Sequence, residues 1–433
     1  PVEGKAAISA EGDGNVTIEL EGDNTAKSGY YRAGVEKDNG GNLTIADADG
    51  DGALEAAGGE QAAGIGGGGG SSRDSSNITI AGGEIEAFGG AQAAGIGGGA
   101  YGDGSNITIK DGNVKAVGGE TSYGKNGGAG IGGGAFGAGS DITISGGDVE
   151  AIGGNGGAGI GGGSGGNGSN ITVSKGIVNA TGGDYSAGIG GGKNGSGSNI
   201  AIEGGKVEAS SVGGGAGIGG GSLGSGSNIA VSGGEVTAQG GVGGAGIGGG
   251  QGGSGSKITI SDGKVTATGA GAGAGIGGGY AGSGEGITIE GGEVTAQGDA
   301  GGAGIGGGIS GTGSDVTISG DAQVKVQGGT TGRDWHKGAA IGNGGTPTTD
   351  GNEVSPNTSD LKVGGFIQIY EPGKNINTDT PDRTIEGQKG DHSWNAGEVT
   401  TAETVPESKA AAYWVSDSQG QSIPYQAQQK DGV

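Results

Sequence analysis

Three short stretches in which apolar and polar residues alternate recur in fixed order along most of the chain. Ser76 to Ile80 reads Ser-Asn-Ile-Thr-Ile, with Ile78 and Ile80 on one side and Asn77 and Thr79 on the other. Glu235 to Ala238 reads Glu-Val-Thr-Ala, which sets Val236 and Ala238 against Glu235 and Thr237. Ala245 to Gly249 reads Ala-Gly-Ile-Gly-Gly, in which Ala245 and Ile247 alternate with glycine. Period-two alternation predicts strands with their apolar residues on one face. Helical periodicity is absent.

The stretches keep a long beat. The isoleucine of Gly-Ile-Gly stands at Ile65, Ile96, Ile131, Ile160, Ile189, Ile218, Ile247, Ile276, Ile305 and Ile341, most often 29 residues apart. A second column keeps the same spacing from Ile78 through Ile287 to Val316. One such unit cannot bury its own apolar face, whereas stacked units can. The pattern therefore predicts an all-β, parallel β-solenoid of about ten coils. Each coil has three short strands and a triangular section, and the hand is expected to be right, as parallel crossovers are. The column Asn77, Asn106, Asn170, Asn199 and Asn228 predicts an amide ladder. The third strand is expected to turn only glycine outward, leaving a bare face open to lateral self-association or a polysaccharide.

Residues 1–40 are irregular but echo the repeat at Val16 and Val35, and read as an N-terminal cap coil. Residues 41–345 are the solenoid, and 346–433 a C-terminal cap with a β extension or the start of another module. Two coils carry insertions between the second and third strands, around Thr121 to Asn126 and around Thr331 to Lys337.

Composition sharpens this picture. Glycine makes up 125 of 433 residues while proline makes up 7, and the long period excludes both collagen and featureless low complexity. Forty-seven acids against 22 bases give a net charge of −25, which argues against nucleic acid or anionic lipid as partner. No apolar run is long enough to span a membrane. There is no cysteine, so disulfides and thiolate metal sites are excluded. With no Met or secretory signal at Pro1, the chain reads as a processed product or an excised fragment.

Candidate chemistry is sparse. The two histidines, His336 and His392, have no nucleophile motif beside them, and no acid cluster spans adjacent coils as hydrolysis of a glycosidic bond requires. Asp47-Ala48-Asp49-Gly50-Asp51-Gly52 matches the opening of a calcium loop, with Gly58 where a bidentate glutamate belongs and Glu55 or Glu60 as substitutes. The same residues also suit a polar turn. Arg333, Trp335 and His336 offer a sugar-stacking or partner-binding patch, or a shield for the last coil. Tyr101, Phe136 and Tyr280 follow Gly-Gly-Gly turns and read as turn packing. An outward threonine column suggests ice binding, but Ala201 and Ala230 interrupt it, which favours ordinary strand propensity.

The repeat Gly226-Ser-Asn-Ile-Ala-Val-Ser-Gly-Gly-Glu-Val-Thr-Ala238, followed by Gly244-Ala-Gly-Ile-Gly-Gly-Gly250, resembles glycine-rich repeat proteins on the surface of Gram-positive, Clostridia-like bacteria. It is also similar to the β-helical carbohydrate-binding family, which binds acidic or cellulosic plant polysaccharide with calcium. The resemblance implies an extracellular, non-enzymatic stalk or adhesin segment that contacts a polysaccharide or a host or neighbouring-cell surface. A polysaccharide-binding module, calcium-assisted or not, is the alternative, with ice-binding protein and polysaccharide lyase more remote.

Overall fold

The structure, a computed structural model, describes residues 4–38, 40–70, 74–121, 126–330, 336–346, 349–353 and 361–386, with three short strands beyond. The described residues contain strands and turns and no helix. The chain winds into a parallel β-solenoid of about 11 turns, roughly 29 residues each. Like strands stack into sheets of 12, 12 and 14 strands, which at about 4.8 Å per strand makes a rod on the order of 50 Å long.

The turn count exceeds the expected ten because the irregular N-terminal stretch winds as well. Ile8–Ala10, Val16–Glu19 and Asp23–Lys27 pair in register with Val35–Lys37, Leu43–Ala46 and Ala53–Ala57. Their apolar residues match the column even where the glycines are lost. On the next rung Glu36 occupies the place of Gly66, and its buried carboxylate pairs with Arg32 and accepts the Ala33 N–H at 3.0 Å.

Each coil gives five residues to a continuous core. In one coil these are Ile258 and Ile260 from the first strand, Val265 and Ala267 from the second, and Ile276 from the third. All are at most 1% exposed. Identical residues stack directly, as in Ile229↔Ile258 and Val236↔Val265. Burial of each such isoleucine contributes about 1.5–3 kcal/mol.

The asparagine column forms the ladder that was expected. Asn199 donates to Asn170 and Asn228 to Asn199, both at 3.0 Å, and Asn170 donates to Asp141 at 2.9 Å. Its position has a further requirement. Asn77, Asn106, Asn170, Asn199 and Asn228 have φ between 50° and 61°, and the strand pairing steps over them. Asparagine tolerates this left-handed conformation and uses its amide to link coils.

The third side departs from expectation. It is not a flat strand but an inward pinch. Only two residues per coil pair there, such as Ile247–Gly248. The Ala245 N–H donates to the Gly249 carbonyl at 3.0 Å, and the same bond recurs from Ala63 to Gly67 through Ala303 to Gly307. Ile247 is driven into the core, while Ala245 is buried outside the core cluster. The flanking loops close over the pinch: the Gln251 N–H reaches the Gly214 carbonyl at 2.7 Å, and the Tyr280 N–H reaches Gly243 at 2.7 Å. The glycines from Gly243 through Gly250 are buried. The expected bare glycine face is therefore corrected, because backbone from two loops covers it.

At the far end, Leu361–Val363 and Phe366–Tyr370 extend the first two sheets, and Arg383–Glu386 then turns antiparallel. Third-strand amides elsewhere donate to carbonyls of the next coil, as Ile305 does to Ala340 at 2.9 Å. On the last rung the Glu353 carboxylate takes that role, accepting the N–H groups of Ala340 at 2.6 Å and Ile341 at 3.2 Å.

Two outcomes follow. A Cβ on Gly246 would lie 2.6 Å from the Thr268 nitrogen and 2.7 Å from the Gly275 carbonyl oxygen. Gly246→Ala should therefore lower the melting temperature by far-UV circular dichroism at least as much as Ile247→Val, which removes a buried methylene at about 0.5–1.5 kcal/mol. Glu353→Ala should speed hydrogen exchange at Ala340 and Ile341 while leaving Ile247 unchanged.

Candidate functional site

The second-strand face is charged. Lys115 pairs with Glu150 at 3.0 Å and Lys264 with Glu235 at 2.9 Å, each across neighbouring coils. The Lys264 pairing raises the amine and lowers the Glu235 carboxyl from their usual values, chiefly through that hydrogen bond. These groups are largely exposed, so solvent and salt screen each pair and it adds little to stability. The first-strand face carries the threonine column, in which Thr172 meets Ala201 and Ala230 meets Thr259.

The acidic loop sits on the corner after Leu43–Ala46. Ligand oxygens of Asp47, Asp49 and Asp51 come within 4.8 Å of one another. Asp47 is held by the loop itself, its oxygens accepting the N–H groups of Gly50 at 2.9 Å and Gly52 at 3.1 Å. The Asp49 carboxyl lies above its usual range, first because of the Asp51 charge and then through Asp47. Glu55 does not join them. It lies on the second strand Ala53–Ala57 and pairs with Lys27 at 2.8 Å. Three converging carboxylates suit a hard, oxygen-seeking cation such as calcium, which takes six to eight oxygens, so water would complete the shell.

Arg333 and Trp335 lie outside the described residues. Their neighbour His336 faces Asp350, with Nδ1 at 3.2 Å from the carboxylate, and the Lys337 N–H donates to the same oxygen at 2.9 Å. The Lys337 N–H first, and then the His336 ring, hold the Asp350 carboxyl below its usual range.

Two features escaped the sequence reading. One is a polar cavity of about 510 Å³ near the N-terminal end, lined by Asp13, Lys37, Asp38, Asp74, Ser75 and Asp103 among others. Burial lowers the Lys37 amine from its usual value. The lining residues come from several turns, so only winding brings them together. The other lies outside the pinch. Among the described residues, eight of the ten large exposed hydrophobic residues, all but Ile177 and Val242, sit on the two loops that flank the third strand. Tyr101 and Phe136 stack there with centroids 5.4 Å apart and planes 11° from parallel. Turn packing describes part of their role, because the Phe136 ring covers Gly165 and Leu223 covers Gly252. Tyr280 stands one residue earlier in its loop than Tyr101 and Phe136 do in theirs.

Comparison with known proteins agrees with the architecture. Eight consecutive segments, at residues 78–100, 107–135, 142–164, 171–193, 200–222, 229–251, 258–280 and 287–309, match the model of the beta helix repeat family. Each begins on the first-strand isoleucine and ends in the loop after the pinch, one segment per coil. No curated protein and no solved structure matches the chain.

Calorimetric titration should show calcium binding at millimolar concentration or below, and Asp47→Asn with Asp51→Asn should abolish it. The Asp49 carboxyl is raised, so its own contribution to stability is present below the ordinary carboxylate range and lost as pH rises through it. The stabilisation conferred by calcium should therefore grow as pH rises through that range, and Asp49→Asn should flatten that dependence. Absence of binding heat in the unaltered protein would exclude a calcium loop here.

Proposed function

We propose that this parallel β-helix repeat protein is a non-catalytic, extracellular rod: a stalk or adhesin segment of a bacterial surface protein. Its contacts are made by repeated surfaces rather than by turnover of a substrate. The observation that carries this reading is the uninterrupted register of like residues from coil to coil, such as Ile131↔Ile160↔Ile189↔Ile218. That regularity makes a spacer whose three sides repeat their surfaces from coil to coil. The longest departures from the repeat fall in loops and at the two ends, where they alter a surface while the register of the stacked strands is kept. Such a rod suits a polysaccharide or a host or neighbouring-cell surface as partner. The acidic loop at Asp47, Asp49 and Asp51 is read as a calcium site that stiffens the N-terminal corner. Arg333, Trp335 and His336 remain a second contact candidate.

The alternative is a polysaccharide-binding module, and the aromatic residues outside the pinch favour it. In either reading the charged columns serve strand pairing, since Lys115–Glu150 and Lys264–Glu235 link neighbouring coils.

Beads coated with the full chain should adhere to polysaccharide-coated or cell surfaces. Incubation with pectin and xylan should release neither reducing nor unsaturated ends. Product release that tracks the purified chain would make the protein an enzyme, and beads that adhere to no surface would remove the adhesin reading.

A further inference from the structure

We infer that the loop face outside the pinch is a binding platform for a neutral polysaccharide lying along the rod. The inference rests on the contact function proposed above and names the surface and ligand class for it. The three sides of the rod differ in a way no single coil reveals. The first-strand side presents threonine and asparagine, and the second presents paired lysine and glutamate. The loop side alone collects large apolar groups: Tyr31, Tyr101, Phe136, Tyr185, Leu223 and Tyr280 are each 38–70% exposed.

Amide side chains share those loops. Gln61, Gln92 and Asn194 stand at corner positions with φ between 63° and 68°. Several charges on this side are engaged: Asp184 accepts from Asn155 at 3.2 Å, Asp299 accepts the Gly271 N–H at 2.8 Å, and Lys193 lies over the Tyr185 ring at 5.1 Å. Glu60 and Glu120 add exposed carboxylates to the same loops, which repel an acidic chain. Aromatic rings that stack on the apolar faces of sugars, with amides to meet hydroxyl groups, are the means of recognising an uncharged glycan.

The platform is preorganised. Tyr31 packs against Gly69, Tyr185 against Gly214 and Phe136 against Gly165, so each ring rests on backbone of the following turn, and little side-chain freedom remains to be lost on binding. Separations along the rod are multiples of the coil rise, about 4.8 Å, which suits a polymer that also repeats. Charge decides against other occupants. A net charge of −25 repels both a second copy of the chain and an acidic glycan.

The test is affinity gel electrophoresis of the full chain in hydroxyethyl cellulose, xyloglucan, β-1,3-glucan and polygalacturonate. At least one neutral glycan should retard the protein, and polygalacturonate should not. The triple variant Tyr101→Ala, Phe136→Ala, Tyr185→Ala should weaken that retardation about tenfold or more, equivalent to about 1.4 kcal/mol. Lys264→Ala on the second-strand face should leave it unchanged, and circular dichroism should show every variant folded. Retardation of the triple variant equal to that of the unaltered protein would overturn the assignment of the face. Retardation by polygalacturonate alone, or by no glycan, would overturn the ligand class. If beads still adhered to cells in that case, the adhesive rod would stand without this platform. A concentration-dependent dimer in sedimentation that the triple variant abolishes would assign the face to a second copy instead.

Discussion

The close approach of one backbone to the next on the third side governs this molecule. At Gly246 a single added carbon would fall within 2.7 Å of main-chain atoms from two neighbouring segments, and the equivalent glycines in other coils are as tightly enclosed. The pinch closed by the Ala245–Gly249 hydrogen bond exists only because nothing projects from the residues around it. With it, one isoleucine per coil reaches a core otherwise filled by two sheets. Dispersion and hydrophobic burial then act along an unbroken column from Ile65 to Ile341.

The same constraint makes the rod chemically unequal around its axis. On the first and second sides, extended strands hold every other side chain outward, so those faces display the threonine, asparagine, lysine and glutamate columns. On the third side, the inward finger leaves no outward strand residues. The loops before and after it meet instead, and their tips carry most of the exposed aromatic and aliphatic groups. Among the described residues, the exposed aromatic side chains thus gather where backbone would otherwise face solvent. Shelter for the coil hydrogen bonds and a surface suited to contact arise from the same residues. At the far end the Glu353 carboxylate closes the last rung, whereas near the other end the buried Glu36 is paired within the stack by Arg32.

Much of this was legible in the residues themselves. The 29-residue beat and the alternation in segments such as Ile78 to Ile80 or Val236 to Ala238 were enough for a three-stranded parallel solenoid, since repeated apolar faces have no other way to be buried. The asparagine ladder followed from one residue type recurring in one column. The acidic loop was visible because its three aspartates are neighbours in sequence. Glu55 was misjudged because distance along the chain does not say which face of a strand a side chain takes, and Lys27 from the preceding turn claims it. The cavity at Asp13, Lys37, Asp74 and Asp103 was invisible because its walls come from separate turns.

The amino-acid sequence determined the fold class, the coil length and the identity of the core, because these depend on periodicity and on which residues must leave water. It could not determine what its glycines do. Glycine permits an exposed bare strand and a buried pinch equally well, and the two differ only in whether neighbouring loops fold back over the backbone. That depended on hydrogen bonds between loops a full turn apart, such as Gln251 to Gly214, which exist only once the coils have stacked. Tertiary structure turned the expected empty face into a buried, closely packed backbone, and placed the exposed aromatic residues above it.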